Sequence, residues 1–152
     1  MLRYSAHGEL HKDFHASTLD GIRYLLDNYG PEALKEVLFN TGTQVYKSIH
    51  QKLQHGDSSE LLEHWQFFFT REGGKFQLDV HDDGTAELVV LECPALRHLE
   101  KRNIEPDQVM CEATRILNDA LCSDSPFEIE TVCTGKFSCR QTLRLRQKEA
   151  SK

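Results

Sequence analysis

The sequence predicts an α+β fold, in which N-terminal helices precede an antiparallel sheet of about four strands with helices packed on one face. Up to Gly73-Gly74, apolar residues recur at the spacing that is typical of amphipathic helices. Beyond that point, apolar and polar residues alternate in short runs, which indicates half-buried strands. The order hairpin, helix, hairpin in this second part favours a sheet that is covered by helices on one side.

The helices of the N-terminal part are separated by residues that stop or start a helix. Gly30-Pro31 ends the first helix and begins the second, because glycine favours a helix end and proline fits a first turn. Gly56 ends the second helix. A third, shorter helix then leads to Gly73-Gly74. We expect all three of these glycine positions to be element boundaries.

The second part of the chain predicts two hairpins. Asp82-Asp83-Gly84 is a turn signal between strands at 76–80 and 86–91. The second of these strands is more apolar, so we expect it inside the sheet. Pro94 and Pro106 each begin a helix, and the last hairpin joins strands at 127–133 and 139–146.

Length and charge limit the classes of protein to which the chain can belong. Its 152 residues fit a single domain, 1–152, whose segments 1–14 and 147–152 we expect to be less ordered. The net charge of −6 argues against nucleic acid or an anionic membrane as a partner, since both favour clustered positive charge. The sequence begins without an apolar signal region, and no run approaches the ~20 apolar residues of a membrane span. We therefore expect a cytoplasmic protein with reduced cysteines.

The last hairpin brings two cysteines together. If its turn centres on Lys136, Cys133 and Cys139 are cross-strand neighbours on one face, with Cβ atoms ~4.5–5.5 Å apart. Cys111 lies on the preceding helix, which packs on this sheet, and Glu130 is nearby. Thiolates and carboxylates are zinc ligands, so these four residues are a candidate zinc site. The alternative is that the cysteines are buried small hydrophobic residues.

Cys93 differs from the other cysteines, because it lies where a strand ends and a helix begins. The free N–H groups and the dipole at a helix start lower the pKa of a thiol and make it a better nucleophile. His98, one turn further along, is then a candidate base for this thiolate. The alternative is that Cys93 only precedes the helix and has no reactivity.

Three histidines, His7, His11 and His15, recur every four residues on one predicted helix face. Such a stripe is typical of a solvated face or a partner surface. The alternative is a metal site, because imidazole is a common ligand.

Residues 24–144 resemble the L-2-amino-thiazoline-4-carboxylic acid hydrolase family. The resemblance rests on Glu92-Cys93-Pro94, on Cys111, and on Gly135 followed by Cys139. In that family a Cys-Pro pair ends a strand, a second cysteine follows, and a Gly-x-x-Cys-like stretch lies in the last hairpin. Here that last motif is one residue longer. The resemblance implies hydrolysis of a C–N or C–S bond in a small, cyclic, thiazoline-like acid, with Cys93 as nucleophile or substrate contact.

The last third also resembles the vinyl-4-reductase-type ligand-binding domain. There a cysteine, a glutamate and two further cysteines flank the final hairpin and hold zinc, and Cys111, Glu130, Cys133 and Cys139 match them in order. This resemblance implies a homodimeric module that binds an apolar small molecule. The enzyme needs an accessible thiol of low pKa in a polar cleft, whereas the binding module needs an enclosed apolar pocket. A scaffolding subunit with no site is the third possibility.

Overall fold

The computed structural model describes residues 14–147 and confirms the predicted fold class. The helices are α1 Phe14–Tyr29, α2 Pro31–Asn40, α3 Lys47–Gln54, α4 Ser59–Arg71, α5 Pro94–Lys101 and α6 Val109–Leu121. The strands are β1 Lys75–Val80, β2 Ala86–Glu92, β3 Phe127–Cys133 and β4 Cys139–Leu145. Of the segments 1–14 and 147–152, which were predicted to be less ordered, only residues 14 and 147 are among the described residues. Within residues 14–147, no helix is long and apolar enough to cross a membrane.

The four strands form one antiparallel sheet in the order β1-β2-β4-β3. β2 lies inside the sheet, as its apolar sequence predicted. β3 and β4 pair so that Cys133 is opposite Cys139, which confirms the predicted register. Along each strand the side chains alternate between the helices and the solvent. On β4, for example, Leu143 is buried and Arg144 is exposed.

The predicted boundaries between elements are confirmed. Gly30 separates α1 from α2 with a φ of 84°, a left-handed conformation that favours glycine, and Pro31 follows in the first turn. Gly56 follows α3, and Gly73-Gly74 lies between α4 and β1.

The predicted helix between Pro31 and Gly56 is not continuous, because a π-helical segment at Thr41–Val45 interrupts it. Gly42 in this segment packs against α6, and a Cβ built on it would lie 2.6 Å from the Cβ of Ala120. Val45, in this wider π turn, is 71% exposed, whereas Ile49 and Leu53 beyond it are buried.

The main core lies between the sheet and helices α3, α4 and α6. Its buried members include Ile49, Leu53, Leu61, Trp65, Leu88, Val90, Leu121, Phe127, Ile129 and Leu143. A second cluster joins α1 to α5 through Leu19, Leu96 and Leu99. The helices therefore cover one face of the sheet, as predicted.

Candidate functional site

A cavity of about 250 Å³ lies between the helices and the inner face of the sheet. Its aromatic wall residues are Phe14, Tyr46, Trp65, Phe68, Phe69 and Phe137, and its aliphatic ones include Leu61, Val90, Leu96, Leu117 and Leu121. Trp65 is the only tryptophan in the sequence. The cavity is thus lined mainly by apolar groups.

The described residues that line the cavity include no Asp, Glu, Lys or Arg. Its titratable groups are thiols, the Tyr46 hydroxyl and the imidazoles of His15 and His64. A charged ligand group would lose its hydration here without finding a guanidinium, ammonium or carboxylate partner, which is unfavourable. The wall therefore favours a neutral ligand.

A buried hydrogen-bonded cluster gives the cavity one polar end. The side-chain nitrogen of Asn118 on α6 donates to Oγ1 of Thr131 at 3.0 Å and to Oε1 of Gln141 at 2.7 Å. All three residues are buried, and all three line the cavity. Buried polar groups keep such bonds because leaving one unsatisfied costs about 1–3 kcal/mol. The cluster therefore holds its side chains in place.

Three thiols also line the cavity, those of Cys93, Cys111 and Cys139. Burial raises the pKa of Cys139 to about 11. Burial and a hydrogen bond with Cys133 raise the pKa of Cys111 to about 12. Cys111, Cys133 and Cys139 therefore lie in one region, as predicted, and Cys93 lies there as well. The thiols of Cys111 and Cys139 are protonated near neutral pH.

The prediction that Cys93 has a lowered pKa is wrong. Burial raises the pKa of its thiol, and the N–H groups of Ala95 and Leu96 at the start of α5 offset this rise only in part. Desolvation of the thiolate thus outweighs the favourable field of the helix start.

The loop between β3 and β4 closes one side of the cavity. The N–H of Cys93 donates to the carbonyl oxygen of Phe137 at 2.6 Å. The Arg97 guanidinium lies 4.0 Å from the centre of the Phe137 ring. Lys136 Nζ is 3.3 Å from a carboxylate oxygen of Glu100. These contacts attach the loop to α5 and fix Phe137 in the cavity wall.

The prediction that Glu130 joins the cysteines is wrong. Glu130 is three residues before Cys133 on β3, so its side chain leaves the opposite face of the sheet. There it is exposed, and Nη1 of Arg144 lies 3.5 Å from its Oε2. Across residues 14–147, no group of three or more His, Cys, Asp or Glu is arranged to hold a metal ion. Zinc binding by Cys111, Cys133 and Cys139 stays a prediction.

The predicted histidine stripe falls mostly outside the described residues, which include only its last member. His15 is not solvated: it is 3% exposed, and its Nε2 lies 3.6 Å from Oε2 of the buried Glu72. His7 and His11 precede the described part of the chain.

His98, the predicted base, is placed beside His15, with 6.0 Å between the centres of the two rings. It is not among the residues that line the cavity, whereas Cys93 is. Its role as a base for the Cys93 thiol stays a prediction.

A second depression, of about 560 Å³, lies between α2 and α6. It is a wide groove open to solvent, with Glu32, Lys35, Glu36 and Asp119 among its lining residues. Although it is larger than the cavity between the helices and the sheet, it is more open to water and is lined by charged residues. The cavity between the helices and the sheet is therefore the better candidate site.

Sequence reasoning predicted Cys111 but missed two polar residues that share its helix face, Thr114 and Asn118. Cys111, Thr114 and Asn118 recur at intervals of three and four, which places them on one face of α6, and all three line the cavity. The sequence signal for Thr114 and Asn118 is their helical spacing from Cys111, which forms a row of polar residues beside the apolar residues of the same helix.

No family model, curated protein or solved structure matches the chain. The two resemblances noted in the sequence therefore stay predictions.

Proposed function

We propose that the protein is a small-molecule-binding module, whose ligand is a neutral and largely apolar compound held between the helices and the sheet. The observation that supports this proposal is the composition of the cavity wall. It is mainly aromatic and aliphatic, it has one hydrogen-bonded polar end, and its described residues include no Asp, Glu, Lys or Arg. Small-molecule sites in proteins combine a mostly apolar wall with a few placed polar groups in this way.

The volume of the cavity sets the size of the ligand. At about 250 Å³ it is slightly below the roughly 300–1,000 Å³ of pockets for drug-sized molecules. A cavity of roughly 150 Å³ accepts benzene. We therefore propose a ligand with on the order of ten non-hydrogen atoms, such as one ring with short substituents. Its ring packs against Trp65 and Phe69, and its polar group faces Asn118 and Gln141.

A cysteine hydrolase is the second candidate, because Cys93, Cys111 and Cys139 line the same cavity. Two features make it the weaker one. Burial raises the pKa of all three thiols, which lowers the fraction of nucleophilic thiolate. The described wall also offers no Lys or Arg for the carboxylate of a thiazoline-like acid.

We also propose a reducing, cytoplasmic environment, since all five cysteines are free. A homodimer is proposed from the sequence resemblance alone. Light scattering after size-exclusion chromatography measures the mass in solution, and elemental analysis of the purified protein tests the zinc prediction.

Trp65 provides the test of the proposed function, because the only tryptophan of the chain lies in the cavity wall. The purified protein is titrated with 4-nitrobenzyl alcohol and, separately, with 4-nitrobenzoate. The two compounds share a quenching nitroaromatic ring and differ in charge. Free N-acetyltryptophanamide is the control for collisional quenching.

We expect saturable quenching of Trp65 by the neutral alcohol and binding at least about tenfold weaker for the carboxylate, a difference of about 1.4 kcal/mol. Quenching by both compounds that is linear and equal to that of the free tryptophan amide would overturn the proposal. Tighter binding of the carboxylate would instead favour the hydrolase.

A further inference from the structure

We propose that Cys133 and Cys139 form a reversible disulfide by exchange with a low-molecular-weight disulfide such as oxidised glutathione. This thiol modification does not depend on the proposed binding of a neutral ligand. It rests on the way in which the last hairpin pairs its two strands.

The hydrogen bonds of the hairpin define which type of pair the two cysteines form. The N–H of Thr134 donates to the carbonyl oxygen of Ser138 at 3.0 Å, so these residues are a hydrogen-bonded pair next to the turn. Hydrogen-bonded and non-hydrogen-bonded pairs alternate along an antiparallel ladder. Cys133 and Cys139, one step further from the turn, are therefore a non-hydrogen-bonded pair.

A second hydrogen bond leads to the same assignment from the other side of β4. The carbonyl oxygen of Phe137 accepts the N–H of Cys93 at 2.6 Å and therefore points towards β2. Backbone groups of alternate residues on a strand point to the same neighbour. Those of Cys139 therefore also point to β2, where Cys139 pairs with Val90, and away from Cys133.

This type of pair has the geometry that a disulfide requires. Opposed residues of a non-hydrogen-bonded pair have Cα atoms about 4.5 Å apart and the closer side chains. A disulfide needs a Cα separation of about 4.4–6.8 Å and side chains that face each other. Cys133 and Cys139 are directly opposite and leave the same face of the sheet, so rotation of the two side chains brings the sulfurs to bonding distance.

Neither cysteine is fully buried: each is half-buried, beside the exposed loop residues 134–136. Cys111 is the competing thiol, because it hydrogen-bonds with Cys133. It lies on α6, however, whereas Cys139 is held opposite Cys133 by the strand pairing. Since Cys139 also lines the cavity, the modification alters one residue of that wall.

The exchange proceeds in two balanced steps. The Cys133 thiol loses its proton to solvent, its sulfur attacks the external disulfide, and one external thiolate leaves with the electron pair of the broken S–S bond. The deprotonated sulfur of Cys139 then attacks Cys133 in the mixed disulfide and releases the second external thiolate. The two leaving thiolates take up the two protons. The protein is oxidised by two electrons, and the external disulfide is reduced to two thiols.

Peptide mapping of the full chain tests the proposal directly. The protein is incubated with chelator and oxidised glutathione, free thiols are blocked with iodoacetamide, and the protein is digested with trypsin without reduction. Cleavage after Lys136 and Arg140 separates the two cysteines, so a disulfide joins residues 116–136 to residues 137–140. Because Cys122 lies on the first peptide, fragmentation of the linked peptides is needed to identify the bonded sulfur.

We expect the Cys133–Cys139 link to be the main product and to disappear on treatment with dithiothreitol. Cys122→Ser, which removes a thiol outside the pair, should leave the link unchanged, and Cys139→Ser should abolish it. A main link between Cys111 and Cys133, or stable glutathione adducts without a link, would overturn the proposal. Unmodified cysteines after incubation of the wild-type protein would overturn it as well.

Discussion

The side-chain amide of Asn118 donates a hydrogen bond of 2.7 Å to Oε1 of Gln141 and thereby joins α6 to β4 at the polar end of the cavity. The same nitrogen also donates to Thr131 on β3. One buried side chain therefore connects the long C-terminal helix to both strands of the last hairpin. The site and the stability of the fold depend on the same contact.

Asn118→Ala should lower the free energy of unfolding by about 1–3 kcal/mol, because it leaves buried acceptors on Thr131 and Gln141 without their donor. Urea denaturation followed by circular dichroism measures this change. Asn28→Ala is the matched control, since Asn28 also donates a side-chain hydrogen bond, to the carbonyl oxygen of Tyr24, but is exposed. Equal losses in both variants would show that the buried cluster has no special role.

Two glycine-to-alanine substitutions should change stability in opposite directions. Gly42→Ala places a Cβ 2.6 Å from the Cβ of Ala120, so α6 or the π-helical segment must shift, at a cost of about 1–3 kcal/mol. Gly21→Ala, within α1, meets nothing within 4 Å and should stabilise the protein by about 0.5–1 kcal/mol. Thermal denaturation of the two variants beside the wild type measures both effects. A neutral Gly42→Ala would contradict the close helix crossing.

The stability of the reduced protein should fall as the pH rises above about 9, the usual pKa of a thiol. Burial raises the pKa of Cys122 to about 12, so the folded state retains a proton that the unfolded state loses. Because the folded state then binds more protons, the free energy of unfolding decreases with pH in this window. The stabilisation is complete below the unfolded-state pKa and is lost as the pH rises through the folded-state value.

Urea denaturation at about pH 8 and about pH 10, with reductant present, tests this dependence. Cys122→Ala removes one such group, so its loss of stability between the two pH values should be smaller than that of the wild type by about 1 kcal/mol. Identical losses in the two proteins would show that the Cys122 thiol titrates alike in the folded and unfolded states.

The parts of the fold that depend on local pattern could be predicted from the sequence. The alternation from Phe127 to Cys133, together with a tight turn near Lys136, was sufficient to place Cys133 opposite Cys139. The same alternation places Glu130 on the opposite face of the sheet from Cys133. The prediction that Glu130 is a metal ligand beside the cysteines conflicted with this alternation.

Features that arise from contacts distant in sequence could not be predicted in this way. The π-helical segment accompanies the close approach of Gly42 to Ala120, two residues far apart in the chain. The raised pKa of Cys93 follows from burial by elements packed around it, whereas the sequence shows only the adjacent helix start. The cavity itself exists because side chains from four helices and three strands stop short of one another.

A pair of matched variants tests whether a neutral ligand occupies the cavity between the helices and the sheet. Thr114 on α6 lines the cavity and donates its hydroxyl to the carbonyl oxygen of Met110. Thr70 on α4 is exposed, and its hydroxyl oxygen accepts from Gln66. Substitution by methionine removes one local hydrogen bond at either site, but only Thr114→Met adds volume to the cavity wall.

The decisive measurement is a calorimetric titration of 4-nitrobenzyl alcohol into wild-type protein, Thr114→Met and Thr70→Met. If the ligand occupies the cavity, Thr114→Met should weaken binding at least about tenfold, while Thr70→Met binds like the wild type. Circular dichroism of the three proteins confirms that each is folded. Equal affinities for all three folded proteins would place the ligand outside the cavity and contradict the proposed binding site.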